Sequence, residues 1–142
     1  LSDAGVVKFF HPQMKALAEN VDMLFGNEAE ALAFTETNTL DAAKKQLEQC
    51  AQTVVITLGN KGAVIYYQGA WFDAPAEKAQ AINALGAGDT FCGVFIACLL
   101  QGFSAQKAAD KANHAAGMVV EQYGARLEKQ KLADLMTQKE FA

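Results

Sequence analysis

The chain has 142 residues, 51 % of them hydrophobic and 20 % charged, with a formal charge of −4. That is one domain's worth of protein with apolar side chains enough for a single core, which excludes a disordered chain. No apolar stretch approaches the roughly 20 residues a membrane helix needs, and the acidic balance argues against a nucleic-acid partner.

Apolar spacing predicts a helix over 4–20, with Val7, Phe10, Met14, Leu17 and Ala18 on one side and Pro12 near its middle. The run 21–25 reads as a short buried strand ending at Gly26-Asn27. Two helices follow, over 28–34 and 40–49. Val54-Val55-Ile56 is continuous and β-branched, the mark of a strand covered on both faces. Gly59-Asn60-Lys61-Gly62 is a tight turn into a strand over 63–67, and Gln68-Gly69 turns again into a strand over 71–74. Helices are expected over 88–101, 105–122 and 128–138, with Gly102 closing the first and Ser104 capping the second. Strands alternating with helices indicate a layered α/β architecture, whose ligands gather at the carboxyl ends of the strands.

Cys50, Cys92 and Cys98 are odd in number, and none forms a C-x-x-C pair. They read as reduced, largely buried thiols of a cytoplasmic protein. His11 and His114 stand alone, without zinc spacing. The opening Leu1-Ser2-Asp3 reads like the middle of a larger protein.

The densest signal is Asn83-Ala84-Leu85-Gly86-Ala87-Gly88-Asp89-Thr90-Phe91, a glycine-rich turn running into an apolar helix. A helix start offers free N–H groups and partial positive charge, and small residues let an anion approach the main chain. Asp89 adds a carboxylate beside that place, as phosphoryl transfer to a hydroxyl requires. The same residues also read as an ordinary acidic first turn. The sequence is neither a P-loop nor a dinucleotide fingerprint, because Phe91 takes the third glycine position.

Two other motifs fall at strand ends. Asn27 and Glu30, spaced i, i+3 at a helix opening, share one face and could orient Mg²⁺ through water, or simply cap the helix. Thr57 and Gly59, with Gly62, could line a nucleotide channel or merely end a strand. Asn113, with Ala112, Ala115, Ala116 and Gly117, gives the 105–122 helix a small-residue face open to a flat ring or to another helix.

Together these residues resemble the PfkB/ribokinase-like kinase family. Asn83 to Phe91 is similar to its G-A-G-D signature, Asn27-Glu28-Ala29-Glu30 to its N-x-x-E element, and Thr57-Leu58-Gly59-Asn60-Lys61-Gly62-Ala63 to its T-L-G-x-x-G-A loop. Leu24-Phe25-Gly26-Asn27-Glu28 and Tyr123-Gly124-Ala125-Arg126-Leu127 look most like the adenosine-kinase-like branch. The resemblance spans essentially the whole chain. It implies a layered α/β/α domain over 1–142, the carboxy-terminal nucleotide-binding part of a ribokinase-like kinase whose amino-terminal half and lid lie elsewhere.

The resemblance also implies the chemistry. ATP with Mg²⁺ phosphorylates a primary hydroxyl of a sugar or nucleoside, Asp89 takes the proton, and the amides of Gly86, Ala87 and Gly88 stabilise the transferring group. Glu30 and Asn27 help place Mg²⁺, while Thr57, Gly59, Gly62, Asn113 and Gly117 line the nucleotide site. Asn83 and Leu85 stand where the family usually has Asp and Thr, which weakens the case for a monovalent cation. An isolated half-sheet would expose an edge strand, so self-association or a homodimer is expected. The alternatives are a nucleotide sensor without transfer activity, and a purely structural piece that binds no nucleotide.

Overall fold

The computed structural model describes residues 3–76, 82–121 and 124–137. Helices α1 (Ala4–Phe9) and α2 (His11–Ala18) lead to β1 (Met23–Asn27), then α3 (Glu28–Thr35), α4 (Leu40–Leu47) and β2 (Thr53–Thr57). A single 3-10 turn, Gly59–Lys61, joins β2 to β3 (Ala63–Tyr67), and β4 (Ala70–Ala74) follows. Helices α5 (Ala87–Leu100), α6 (Ala105–Val120) and α7 (Lys129–Thr137) complete the chain. Among the described residues no helix is long and apolar enough to cross a membrane.

The expected helix over 4–20 is two helices. Phe10 leaves the helical region at φ −103°, ψ 24°, and Pro12 occupies the first turn of α2, where its missing N–H costs nothing. The helices expected to reach 122 and 138 end at Val120 and Thr137; Gln122, Tyr123 and Gln138 lie outside the described residues.

The strands form one sheet in the order β1-β2-β3-β4. β1 and β2 pair in parallel, from Met23 opposite Thr53 to Asn27 opposite Thr57. The connections from β2 to β3 and from β3 to β4 are too short for a parallel crossover, so those neighbours run antiparallel. Gln68 and Gly69, at φ 50° and 86°, make the two-residue turn of the β3–β4 hairpin.

The chain divides into two compact units. The first, Leu1–Leu58 with Val64–Asp73, holds α1–α4 and most of the sheet. Its core joins Val7, Phe34, Leu47, Val54 and Ile56, and α1 packs on α3. β2 is buried from Thr53 through Ile56, as its β-branched run requires. Trp71 lies on this unit's flank, its indole N–H donating to Glu48 Oε2 at 2.8 Å, with the Lys44 ammonium 4.9 Å from its ring.

The second unit, Gly59–Ala63 with Ala74–Ala142, centres on the packed pair α5 and α6. Phe91, Phe95 and Cys98 of α5 are buried, as are Ala108, Ala109, Ala112, Ala115 and Val119 of α6. The run of alanines lets two helices approach closely. Lys111 is also fully buried: its Nζ donates to the Leu135 carbonyl at 2.8 Å and lies 5.3 Å from the Phe103 ring, tying α6 to the end of α7.

Candidate active site

Asn27 closes β1 and caps α3. Its Oδ1 accepts from the Glu30 amide at 2.9 Å, its own amide donates to Glu30 Oε2 at 3.0 Å, and its Nδ2 donates to Glu30 Oε1 at 2.8 Å. This is a complete capping box with an added side-chain bond. The ring places the Glu30 carboxylate at a helix start, where the dipole favours negative charge, and lets it be 6 % exposed without losing its partners. Thr57 ends β2 directly opposite Asn27, so the two residues share the carboxyl edge of the parallel pair.

The donor set here is hard oxygen. Each Glu30 oxygen accepts one hydrogen bond from Asn27 and keeps a further lone pair, which suits Mg²⁺ held through water. Among the described residues no group of three or more His, Cys, Asp or Glu could cage a metal. Mg²⁺ would therefore rely on phosphates and water for most of its ligands, as it commonly does.

In the second unit, Gly86 caps α5 in the left-handed region at φ 81°. A Cβ there would overlap the Ala125 carbonyl, so both the backbone angle and the packing require glycine. Gly88 differs: it is exposed, and a Cβ on it would meet nothing within 4 Å. The main chain at Gly88 is thus open to an incoming group. Helix geometry leaves the amides of Ala87, Gly88 and Asp89 without a carbonyl four residues back inside α5. Ala87 makes only a long bond to Ala84 O, at 3.4 Å. Asp89 is exposed in this first turn, beside those amides. The Asn83 side chain accepts from the Leu85 amide at 3.0 Å and shapes the approach turn.

Cys92 lies three residues beyond Asp89. Burial pushes its thiol above the ordinary value of 9.0, and the Asp89 carboxylate pushes it further. The helical pattern predicts a packed thiol at Cys92; the signal for its pairing with Asp89 is their i, i+3 spacing. The three cysteines are free, but only Cys98 is fully buried; Cys50 and Cys92 are half-buried.

Gly59, at φ 62°, has open space where a Cβ would be, while Gly62, at φ 98°, has the Ala74 carbonyl there. Asn113 is buried and donates through Nδ2 to Ala74 O at 2.9 Å and Pro75 O at 3.2 Å. Gly117, one turn further along α6, is half-buried and accepts from the Glu121 amide at its carbonyl. The structure therefore joins Asn27, Glu30 and Thr57 in one unit, and brings Gly62 and Asn113 to one stretch of main chain in the other. Ala125 was missed as the backstop of Gly86, and only its place in a Gly-Ala pair hinted at it. A cavity of about 660 Å³ lies at the other ends of the strands, lined by Glu48, Thr53, Tyr66 and Tyr67 among others; no motif residue lines it.

The family model described as pfkB family carbohydrate kinase matches residues 2–132, and the chain belongs to that family. A ribokinase of Arabidopsis thaliana is 29 % identical over 125 residues, which cover 80 % of this chain and 32 % of the relative. The crystal structure of adenosine kinase from Sinorhizobium meliloti superposes with a TM-score of 0.89 at 28 % identity, covering 96 % of this chain and 42 % of that one. A probable sugar kinase from Rhizobium etli gives 0.87 at 27 % identity, over 95 % and 43 %. The fold is the layered α/β ribokinase-like fold, seen as a partial domain. The chain spans about a third of the curated relative's length (32 %) and under half of either structure. Ribokinase, adenosine kinase and sugar kinase match almost equally, so the similarity does not separate the branches.

Proposed function

We propose that residues 1–142 form one domain, the nucleotide-binding part of an ATP-dependent kinase acting on a primary hydroxyl of a sugar or nucleoside. Adenosine-like acceptors are favoured by the sequence motifs at 24–28 and 123–127. The observation that carries this reading is the exposed Asp89 in the first turn of α5, next to open main chain at Gly88.

In this reading the Asp89 carboxylate accepts the proton of the attacking hydroxyl. The amides of Gly86, Ala87 and Gly88 receive the charge that spreads over the transferring phosphoryl oxygens. Preorganised donors of this kind are worth about 3–4 kcal/mol each when removed. Gly86, locked against Ala125, keeps them aimed without reorganisation. Asn27 and Glu30 are assigned to Mg²⁺, which when bound neutralises phosphate charge. Thr57, Gly59, Gly62, Asn113 and Gly117 are assigned to the nucleotide side, and no monovalent cation is assigned. The odd cysteine count without a C-x-x-C pair supports a cytoplasmic setting.

In the intact protein, Asp89→Asn should lower kcat by about 10²–10⁴-fold, the usual share of a general base, with ATP affinity nearly unchanged. A coupled kinase assay beside calorimetric titration reads both quantities. Undiminished turnover would remove Asp89 from the base role. ATP binding with no transfer to any sugar or nucleoside in the unmodified protein would select the sensor reading.

A further inference from the structure

The Gly59–Gly62 turn is held from behind by residues far along the chain. The Ala76 amide donates to Lys61 O at 3.4 Å, and the Gly62 amide closes onto Gly59 O at 3.1 Å. Gly62 stands so close to the Ala74 carbonyl that no side chain fits. The same Ala74 carbonyl, with that of Pro75, is gripped by the two hydrogens of the single Asn113 amide group, at 2.9 and 3.2 Å. Asn113 is 6 % exposed, so water cannot readily replace those bonds. Pro75 has no N–H of its own with which to anchor this stretch. One buried amide and one glycine thus fix the same carbonyl, and the turn rides on it.

We propose that Asn113 is a positioning residue. It sets the 59–62 turn for nucleotide through the Ala74–Ala76 main chain instead of touching the nucleotide itself. The ligand in this inference rests on the kinase reading; the clamp does not. The residue type follows from the chemistry: two adjacent carbonyls need two donors on one atom, which asparagine has and aspartate, of equal size, lacks.

The test uses the intact protein with Asn113→Asp and, in case the buried charge prevents folding, Asn113→Ala. Amide hydrogen exchange without nucleotide should accelerate about tenfold or more in 59–62 and 74–76, the size expected for losing buried hydrogen bonds. KM for ATP and for GTP should rise together by a similar factor, with kcat little changed. Ala76→Pro deletes the amide that reaches Lys61 without touching α6, and should accelerate exchange in 59–62. Unchanged exchange in the Asn113 variants overturns the clamp. So does weakened ATP with unaffected GTP, which would mean direct contact with the base, or a fall in kcat at constant KM, which would mean only a smaller folded fraction. If the unmodified protein neither binds nor uses nucleotide, the kinase reading fails, and the exchange result still decides the clamp.

Discussion

Two glycines of one tripeptide carry opposite constraints. Gly86 sits at φ 81° with the Ala125 carbonyl where a Cβ would go, so Gly86→Ala meets both strain and overlap. A loss of about 1–3 kcal/mol from the backbone angle alone is expected, seen as a lower melting temperature. Gly88 has neither problem, and Gly88→Ala should melt at or slightly above the parent temperature while ATP binding weakens, because the new methyl occupies the open approach. Equal effects of the two changes on both readouts would refute this division. The neighbouring thiol supplies a second probe. Because the Asp89 carboxylate disfavours a Cys92 thiolate, Asp89→Asn should lower the Cys92 pKa and speed its alkylation by iodoacetamide at about pH 8. Peptide mapping by mass spectrometry distinguishes Cys92 from Cys50 and Cys98. The sign for stability follows as well. Cys92 and Cys98 are both raised above 9.0, so the fold holds their protons more tightly than the open chain does. Their contribution is present below that value and is lost as pH climbs through the folded-state pKa.

At the scale of elements, α7 depends on one buried cation. Lys111 meets the Leu135 carbonyl in the last turn of α7, where the dipole favours positive charge. Lys111→Met should leave that carbonyl without its donor, cost about 1.5–3 kcal/mol as a charged hydrogen bond, and raise amide exchange through 129–137. Unchanged protection there would show that apolar contacts alone hold α7. This dependence could not be read from the chain, since a lysine inside a helical pattern reads as a solvated face. The strands were legible, because β-branched runs and Gly-bearing turns are local signals; β3 falls on the expected 63–67. The caps were legible too: Asn27 and Ser104 both cap as their side chains allow. Phe10 was not, because its apolar spacing continued a helix that Pro12 restarts. The capping reading of Asn27-x-x-Glu30 and its proposed metal role rest on the same atoms, so spacing could not choose between them. The carbonyls held by Asn113 lie 38 and 39 residues away in sequence, and the Ala125 carbonyl behind Gly86 comes after both α5 and α6, beyond any local pattern.

On the scale of the whole molecule, the backbone passes between its two compact units at Leu58–Gly59, within β3 and within β4. Opening either unit would pull on strand ends belonging to the other, so one cooperative transition is expected despite two clusters of buried side chains. The single tryptophan of the chain makes this visible. Trp71 belongs to the first unit, pinned by Glu48 and flanked by Lys44 and Tyr66, whereas α5 and α6, the longest helices among the described residues, belong to the second. Indole fluorescence therefore watches the first unit alone, while helical ellipticity reads the helices of both. Urea melts followed by the two optical signals should superimpose; separate midpoints would reveal halves that let go independently. An indole placed for packing thereby serves as a resident dye, needing no label to tell a concerted collapse from a staged one.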